Sequence, residues 1–296
     1  MTKQNSKQNP KRAKSRTAFD SPPEQPNVDA PILSGSAAAS RWYLIAVFVA
    51  IALGGTYLAQ FLQHSGRDVP RYTYEEIQRY PHDGEAFTQG LVLKDGIVWE
   101  STGKLGSSSV RKSDLKTGEI LKIKNLPPDE FGEGLAMVDD KLYQLTWKNE
   151  KCYVYDLDLN EIRTFSYRGQ GWGLTYDGKH LILSDGTSRL RFIDPETFEY
   201  QREITARIGN NAVGGLNELE YSGGSIYANR WNWDNVYEID PKNGNVKAII
   251  DLKNLWSERP REGILNGIAV DPLKKQLIVT GKYCPHLFEI RLVPRN

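Results

Sequence analysis

Five short motifs carry the residues of this chain whose side chains could do chemistry. They are Gln89-Gly90-Leu91, Glu133-Gly134-Leu135, Trp172-Gly173-Leu174, Asn217-Glu218-Leu219 and Asn266-Gly267-Ile268, separated by 44, 39, 45 and 49 residues. Phe87 and Phe131 precede the first two by two positions, the same face of a strand. Gly103, Trp147, Gly186 and Trp231 stand fourteen residues after the leading residues of the first four motifs. In the fifth, a longer turn shifts the equivalent place to Lys282. Brought together, these positions would supply one carboxylate, one ammonium, several carboxamides and a wall of aromatic rings. That is the composition of a ligand pocket with a few placed polar groups in an apolar lining. Glu133 is the one carboxylate among the leading residues. Aromatic walls would raise its pKa by desolvation and Lys282 would lower it, which makes it a candidate general acid/base. Glu218 and Glu220 flank Asn217 and could also approach the pocket, with one of them expected to be structural.

Other chemistries find little support. The four histidines, His64, His82, His180 and His286, are scattered, and no pair has metal-ligand spacing. The two cysteines, Cys152 and Cys284, read as unpaired thiols, with a disulfide between distant parts of the chain as the alternative. There is no phosphate-binding Gly-rich loop and no serine nucleophile elbow. The Asp-Gly pairs at Asp83, Asp95, Asp177 and Asp185 read as turn formers. No metal and no organic cofactor is therefore expected. A formal charge of +1 argues against a nucleic-acid partner.

The elements that must position these residues are strands. After residue 70 short alternating runs dominate, punctuated by Asp-Gly, Gly-Gly and Asn-Gly turns. Each motif is followed by a second strand (IVWESTG, KLYQLTW, HLILSDG, SIYANRW, QLIVTGK), then by a third that often ends in Asp, then by a fourth. A period of roughly 40–50 residues with four strands per unit predicts an all-β, five-bladed β-propeller. The fifth unit stops after its third strand. Tyr72–Tyr80, which precedes the first unit, is expected to supply the missing strand and close the ring.

The first 70 residues differ. Residues 1–41 hold seven Lys/Arg against three Asp/Glu and almost no aromatics, and read as a disordered basic tail. Trp42 to Leu62 carries no charge for 21 residues and predicts a single transmembrane helix with aromatics near its ends. Residues 63–70 read as a linker, and 71–296 as the propeller domain. The positive-inside rule keeps the N-terminus cytoplasmic and sends the domain to the periplasmic or extracytoplasmic side.

The motifs also resemble the plant-latex and bacterial type of glutaminyl cyclase, the glutamine cyclotransferase family. Stretches that carry the resemblance include PHDGEAFTQGL (81–91), FGEGLAM (131–137), GWGLTYDG (171–178), LNELEY (216–221), LNGIAVD (265–271) and VTGK (279–282). The family implies a five-bladed propeller that converts N-terminal glutamine of peptides to pyroglutamate with release of ammonia. Its active-site pattern falls on Glu133, Lys282, Gln89 and Asn217 as catalytic groups. Phe87, Phe131, Trp147, Trp172 and Trp231 would bind the substrate. The expected partners are peptides or proteins with N-terminal glutamine, and the membrane through residues 42–62. The chain is expected to act as a monomer. A non-enzymatic envelope-facing propeller that binds peptides or sugars is the alternative.

Overall fold

The computed structural model describes residues 69–295, apart from 272 and 275. The expected tail (1–41), the expected span (42–62) and most of the expected linker lie outside the described residues. Every regular element among those described is a β-strand.

The chain enters through β1 (Arg71–Pro81) and then lays down successive antiparallel meanders. The first contains β2 (Thr88–Lys94), β3 (Ile97–Thr102), β4 (Ser109–Asp114) and β5 (Ile120–Asn125). The second contains β6 (Gly132–Val138), β7 (Lys141–Thr146), β8 (Lys151–Asp156) and β9 (Glu161–Ser166). The third contains β10 (Leu174–Tyr176), β11 (Leu181–Ser184), β12 (Arg189–Ile193) and β13 (Tyr200–Thr205). A small hairpin, β14 (Arg207–Ile208) with β15 (Asn211–Ala212), follows, and nothing in the strand pattern had predicted it. The fourth meander is β16 (Leu216–Ser222), β17 (Ser225–Arg230), β18 (Asn235–Ile239) and β19 (Val246–Asp251). The last is β20 (Leu265–Val270), β21 (Leu277–Gly281) and β22 (His286–Pro294).

β1 supplies the fourth strand of the last meander. It runs antiparallel to β22 from Tyr72 opposite Pro294 to Pro81 opposite His286. It also pairs in parallel with β19 through Arg71 and Tyr72, which fuses the last two meanders into one sheet of eight strands.

Burial falls from the leading strand of each meander to its last. β2, β6 and β20 are buried at most positions, whereas β5, β9 and β13 are largely exposed. The apolar residues gather in five clusters, each between neighbouring meanders. Trp99 and Val110 of the first pack on Leu142 and Tyr153 of the second. Leu91 and Val98 of the first pack on Ala269, Ile278 and Leu287 of the last. The leading strands touch in a closed cycle: β2 with β6, β6 with β10, β10 with β16, β16 with β20, and β20 with β2. Such contact needs glycine. A Cβ on Gly173 would come within 2.0 Å of the Asn217 carbonyl oxygen.

Asp at the end of the third strand has a physical reason. Asp114 Oδ1 accepts the N–H groups of Lys116 and Thr117, and Asp194 Oδ1 does the same for Glu196 and Thr197. These side chains close the turn into the outer strand.

Candidate active site

In four of the five meanders the register of the leading strand against the second slips at the motif. The irregularities lie between Thr88 and Gly90, Gly132 and Leu135, Leu216 and Leu219, and Leu265 and Ile268. Each therefore falls on Gln89, Glu133-Gly134, Asn217-Glu218 or Asn266-Gly267. A bulge of this kind bends the strand and re-aims the side chain it carries. A recurrent rung ties the second strand back to the position two residues before the motif. Gly103 N–H donates to Phe87 O (2.8 Å), Trp147 N–H to Phe131 O (2.9 Å), Trp231 N–H to Gly215 O (2.7 Å) and Lys282 N–H to Ile264 O (2.9 Å).

Phe87, Gln89, Phe131, Glu133, Trp147, Trp172, Asn217, Trp231 and Lys282 together line one pocket of about 520 Å³. They are the nine residues singled out in the sequence. The rings interlock edge to face: Phe87 with Phe131 at 5.9 Å, Phe131 with Trp147 at 5.7 Å, and Trp172 with Trp231 at 6.2 Å. Glycine at the second-strand ends makes room for them. A Cβ on Gly103 would meet Phe131 at 2.2 Å, and one on Gly186 would meet Trp172 at 2.7 Å.

The polar groups are unequally satisfied. Glu133 is buried, and its Oε2 has no hydrogen-bond partner. Burial pushes its pKa well above the carboxylate range, against the pull of Lys282 and the Gln89 amide. Lys282 is buried beside it and sits 4.5 Å above the Phe87 ring. Desolvation lowers its pKa to about 8, with Glu133 opposing the fall and Lys104 assisting it. Asn217 Oδ1 is likewise buried without a partner. Two acceptors are thus left for donors that the protein does not supply, at a cost of about 1–3 kcal/mol each.

Asn266 leads a motif but does not line the pocket. Its Nδ2 donates to Thr88 O (2.9 Å) and Gln89 Oε1 (3.0 Å), which fixes the Gln89 carboxamide. Glu218, where the other motifs have glycine, is structural. Its carboxylate accepts the N–H groups of Leu91 (3.3 Å) and Ile268 (2.8 Å) from β2 and β20. Glu220 accepts Val270 N–H at 3.0 Å. Neither lines the pocket. Cys152 and Cys284 are free and buried. No cluster of three His, Cys, Asp or Glu side chains fit for a metal occurs among the described residues.

Two Asp-Gly pairs do more than form turns. Asp83 receives Arg111 Nη1 at 2.6 Å, and Asp185 receives Arg191 Nη2 at 2.6 Å. Arg111 on β4 and Arg191 on β12 reach these carboxylates, whereas Asp95 is exposed.

Gln170 escaped the sequence reading. Its Oε1 accepts both wall indoles, Trp147 Nε1–H at 2.8 Å and Trp172 Nε1–H at 3.0 Å. It lies two residues before Trp172, the same offset as Phe87 and Phe131 from their motifs, and that offset applied to the third unit would have found it.

An all-β ring of meanders with a buried carboxyl, one of its oxygens unpartnered, in an aromatic pocket is the frame of a candidate acid/base site. Comparison narrows it. Residues 47–292 match the glutamine cyclotransferase family, and the chain belongs to that family. It is 40% identical over 226 residues to the glutaminyl-peptide cyclotransferase of Arabidopsis thaliana, covering 74% of this chain and 71% of the relative. It is also similar to the crystal structure of Myxococcus xanthus glutaminyl cyclase, with a TM-score of 0.73 and 36% identity over 77% of this chain and 100% of the other.

Proposed function

We propose that this chain is a glutaminyl-peptide cyclotransferase that works without a metal, on a five-bladed β-propeller. The closed cycle of leading strands and the five apolar interfaces support the propeller reading. The observation that carries the chemistry is Glu133, a buried carboxyl with an unpartnered oxygen and a raised pKa.

The substrate is a peptide whose first residue is glutamine. Its α-amine attacks the Cδ of its own side-chain carboxamide. An N–C bond closes the five-membered lactam, the C–NH₂ bond breaks, and ammonia leaves. Glu133 takes a proton from the amine and returns one to the departing nitrogen. Asn217 and Gln89 orient the carboxamide, and the Lys282 ammonium stabilises the oxyanion that forms on its oxygen. Phe87, Phe131, Trp147, Trp172 and Trp231 hold the side chain folded for ring closure and exclude water, an orientation effect. The apolar segment 42–62 spans a membrane, the basic tail stays in the cytoplasm, and the propeller works on the far side as a monomer.

The test is conversion of a short glutamine peptide by the full-length chain, followed as loss of one ammonia by mass spectrometry. Wild-type turnover is expected with or without a chelator. Glu133→Gln is expected to fold and to lose about 10²–10⁴-fold in kcat. Near-normal turnover by that variant would remove Glu133 from the mechanism. A folded wild-type sample that binds glutamine peptides and converts none would favour a binding module.

A further inference from the structure

The β17–β18 turn does not end at the pocket. Trp231 lines the pocket, and the next four residues, Asn232 to Asn235, line a separate open groove of about 600 Å³. The far wall comes from Arg259, Pro260, Arg261, Gly263 and Ile264, and Ile264 accepts the backbone N–H of Lys282. The groove therefore adjoins the pocket at two places, through the chain at Trp231–Asn232 and through the hydrogen bond between Lys282 and Ile264. Trp233 lines it and is 52% exposed, as Trp231 is. The Arg230 guanidinium stacks 4.6 Å from the Trp233 ring.

Its walls are held in place before anything binds. Arg259 grips Asp234 through both nitrogens, at 2.7 and 2.6 Å. Arg230 is fixed by Gly214 O (3.0 Å) and Tyr237 Oη (3.3 Å). The charges are not balanced. Both lining carboxylates are committed, Asp234 to Arg259 and Asp251 to Arg295. Lys253 and Arg261 line the groove and form no salt bridge among the described residues. A second concavity beside the pocket, about 350 Å³ and lined in part by Phe87, differs. Its cations are already paired, Arg111 with Asp83 and Lys104 with Glu262, and it carries the exposed Glu85.

We propose that this groove is a binding site for the part of the substrate that follows the N-terminal glutamine, and that it favours acidic residues there. Trp233 gives the peptide an aromatic platform, and Arg261 and Lys253 meet its carboxylates. An extended chain advances ~3.3–3.6 Å per residue, so the preference belongs to peptides longer than two residues. The inference rests on the proposed cyclisation and adds a substrate class to it.

The test compares three peptide amides with the full-length chain: Gln-Gly, Gln-Gly-Glu-Glu-Glu and Gln-Gly-Lys-Lys-Lys. The acidic peptide is expected to exceed the basic one by about fivefold in kcat/KM at low ionic strength, through KM. Added salt should shrink that ratio. The double variant Lys253→Ala/Arg261→Ala should bring it close to one and leave Gln-Gly amide unchanged. Trp233→Ala should raise KM for both long peptides and spare the short one. Equal wild-type rates for acidic and basic peptides, or a ratio that survives the double variant, would overturn the groove. Failure to convert even Gln-Gly amide would instead overturn the cyclase reading, and the groove's role with it.

Discussion

Glu133 and Lys282 are displaced in opposite directions by the same cause. Burial raises the carboxyl and lowers the ammonium, because each environment penalises the charged form. In the proposed chemistry Glu133 must be ionised to accept a proton and Lys282 must be charged to meet an oxyanion. The rate should therefore rise with pH as Glu133 and the substrate amine deprotonate, and fall as Lys282 loses its proton near about 8. A pH profile of kcat/KM should show that alkaline limb, and Lys282→Arg should move it out of range, since a guanidinium stays charged throughout the working range. A limb that stays put in the variant would assign it to another group. Gln170 tests the walls. Without its oxygen both indoles lose their acceptor, and Gln170→Ala is expected to lower kcat by about tenfold, with a shift in tryptophan fluorescence. Gln170→Glu keeps the acceptor and should restore most of the loss. Unchanged kcat in Gln170→Ala would mean that ring packing alone sets the walls. The nine pocket residues were readable because side-chain type and repeat offset both singled them out. Gln170, outside the strand and between two glycines, is marked by the offset alone and not by its side-chain type.

At the scale of elements, the strands were legible and their irregularities were not. The repeat marks where a leading strand begins, but a bulge depends on pairing across the sheet, which no single segment records. The same holds for the buried cluster around His82 and Glu100. His82 Nδ1 meets Cys284 O at 2.6 Å, its Nε2 meets Glu100 Oε1 at 3.2 Å, and Thr88 donates to the same oxygen at 2.7 Å. These contacts join the loop before β2, strand β3 and the turn before β22, residues distant in sequence. Burial by itself would lower the His82 pKa, but Glu100 and the Cys284 carbonyl raise it overall. Burial would raise Glu100, and His82 and Arg111 hold it below its ordinary value. A folded-state pKa above 6.5 for His82 means that its contribution to stability is complete below that pH and is lost as pH rises through the folded value. The melting temperature should thus carry a component that declines above roughly pH 6.5. Glu100→Gln should remove that component and cost about 3–5 kcal/mol below roughly pH 6.5, because it takes the buried counter-charge from the His82 imidazolium, while Arg111 keeps Asp83. Parallel calorimetric pH series for both proteins check this. An identical slope in the variant would detach the pH response from the pair.

At the scale of the whole molecule, the question is what closes the ring. The missing twentieth strand could be inferred from counting, because a meander that ends after three strands leaves an edge. The parallel contact of β1 with β19 could not be inferred, since it depends on where the last two sheets meet. β1 pairs with β22 over most of its length and touches β19 at its start, so one segment satisfies two edges. It contributes little side-chain burial: its pattern is mostly exposed or half-buried. Its value lies in the backbone hydrogen bonds it completes and in the partner edges it covers, which would otherwise pair with other chains. Removing residues 1–62 should leave this closure intact, with the fold and the turnover of glutamine peptides retained. Removing residues 1–81 deletes β1 and should lower the melting temperature by at least about 10 °C or send the protein into aggregates, although every pocket residue is still present. The two truncations separate a closing strand from a mere leader. Equal melting temperatures and equal turnover would show that the five apolar interfaces hold the ring shut by themselves, and that β1 only decorates it.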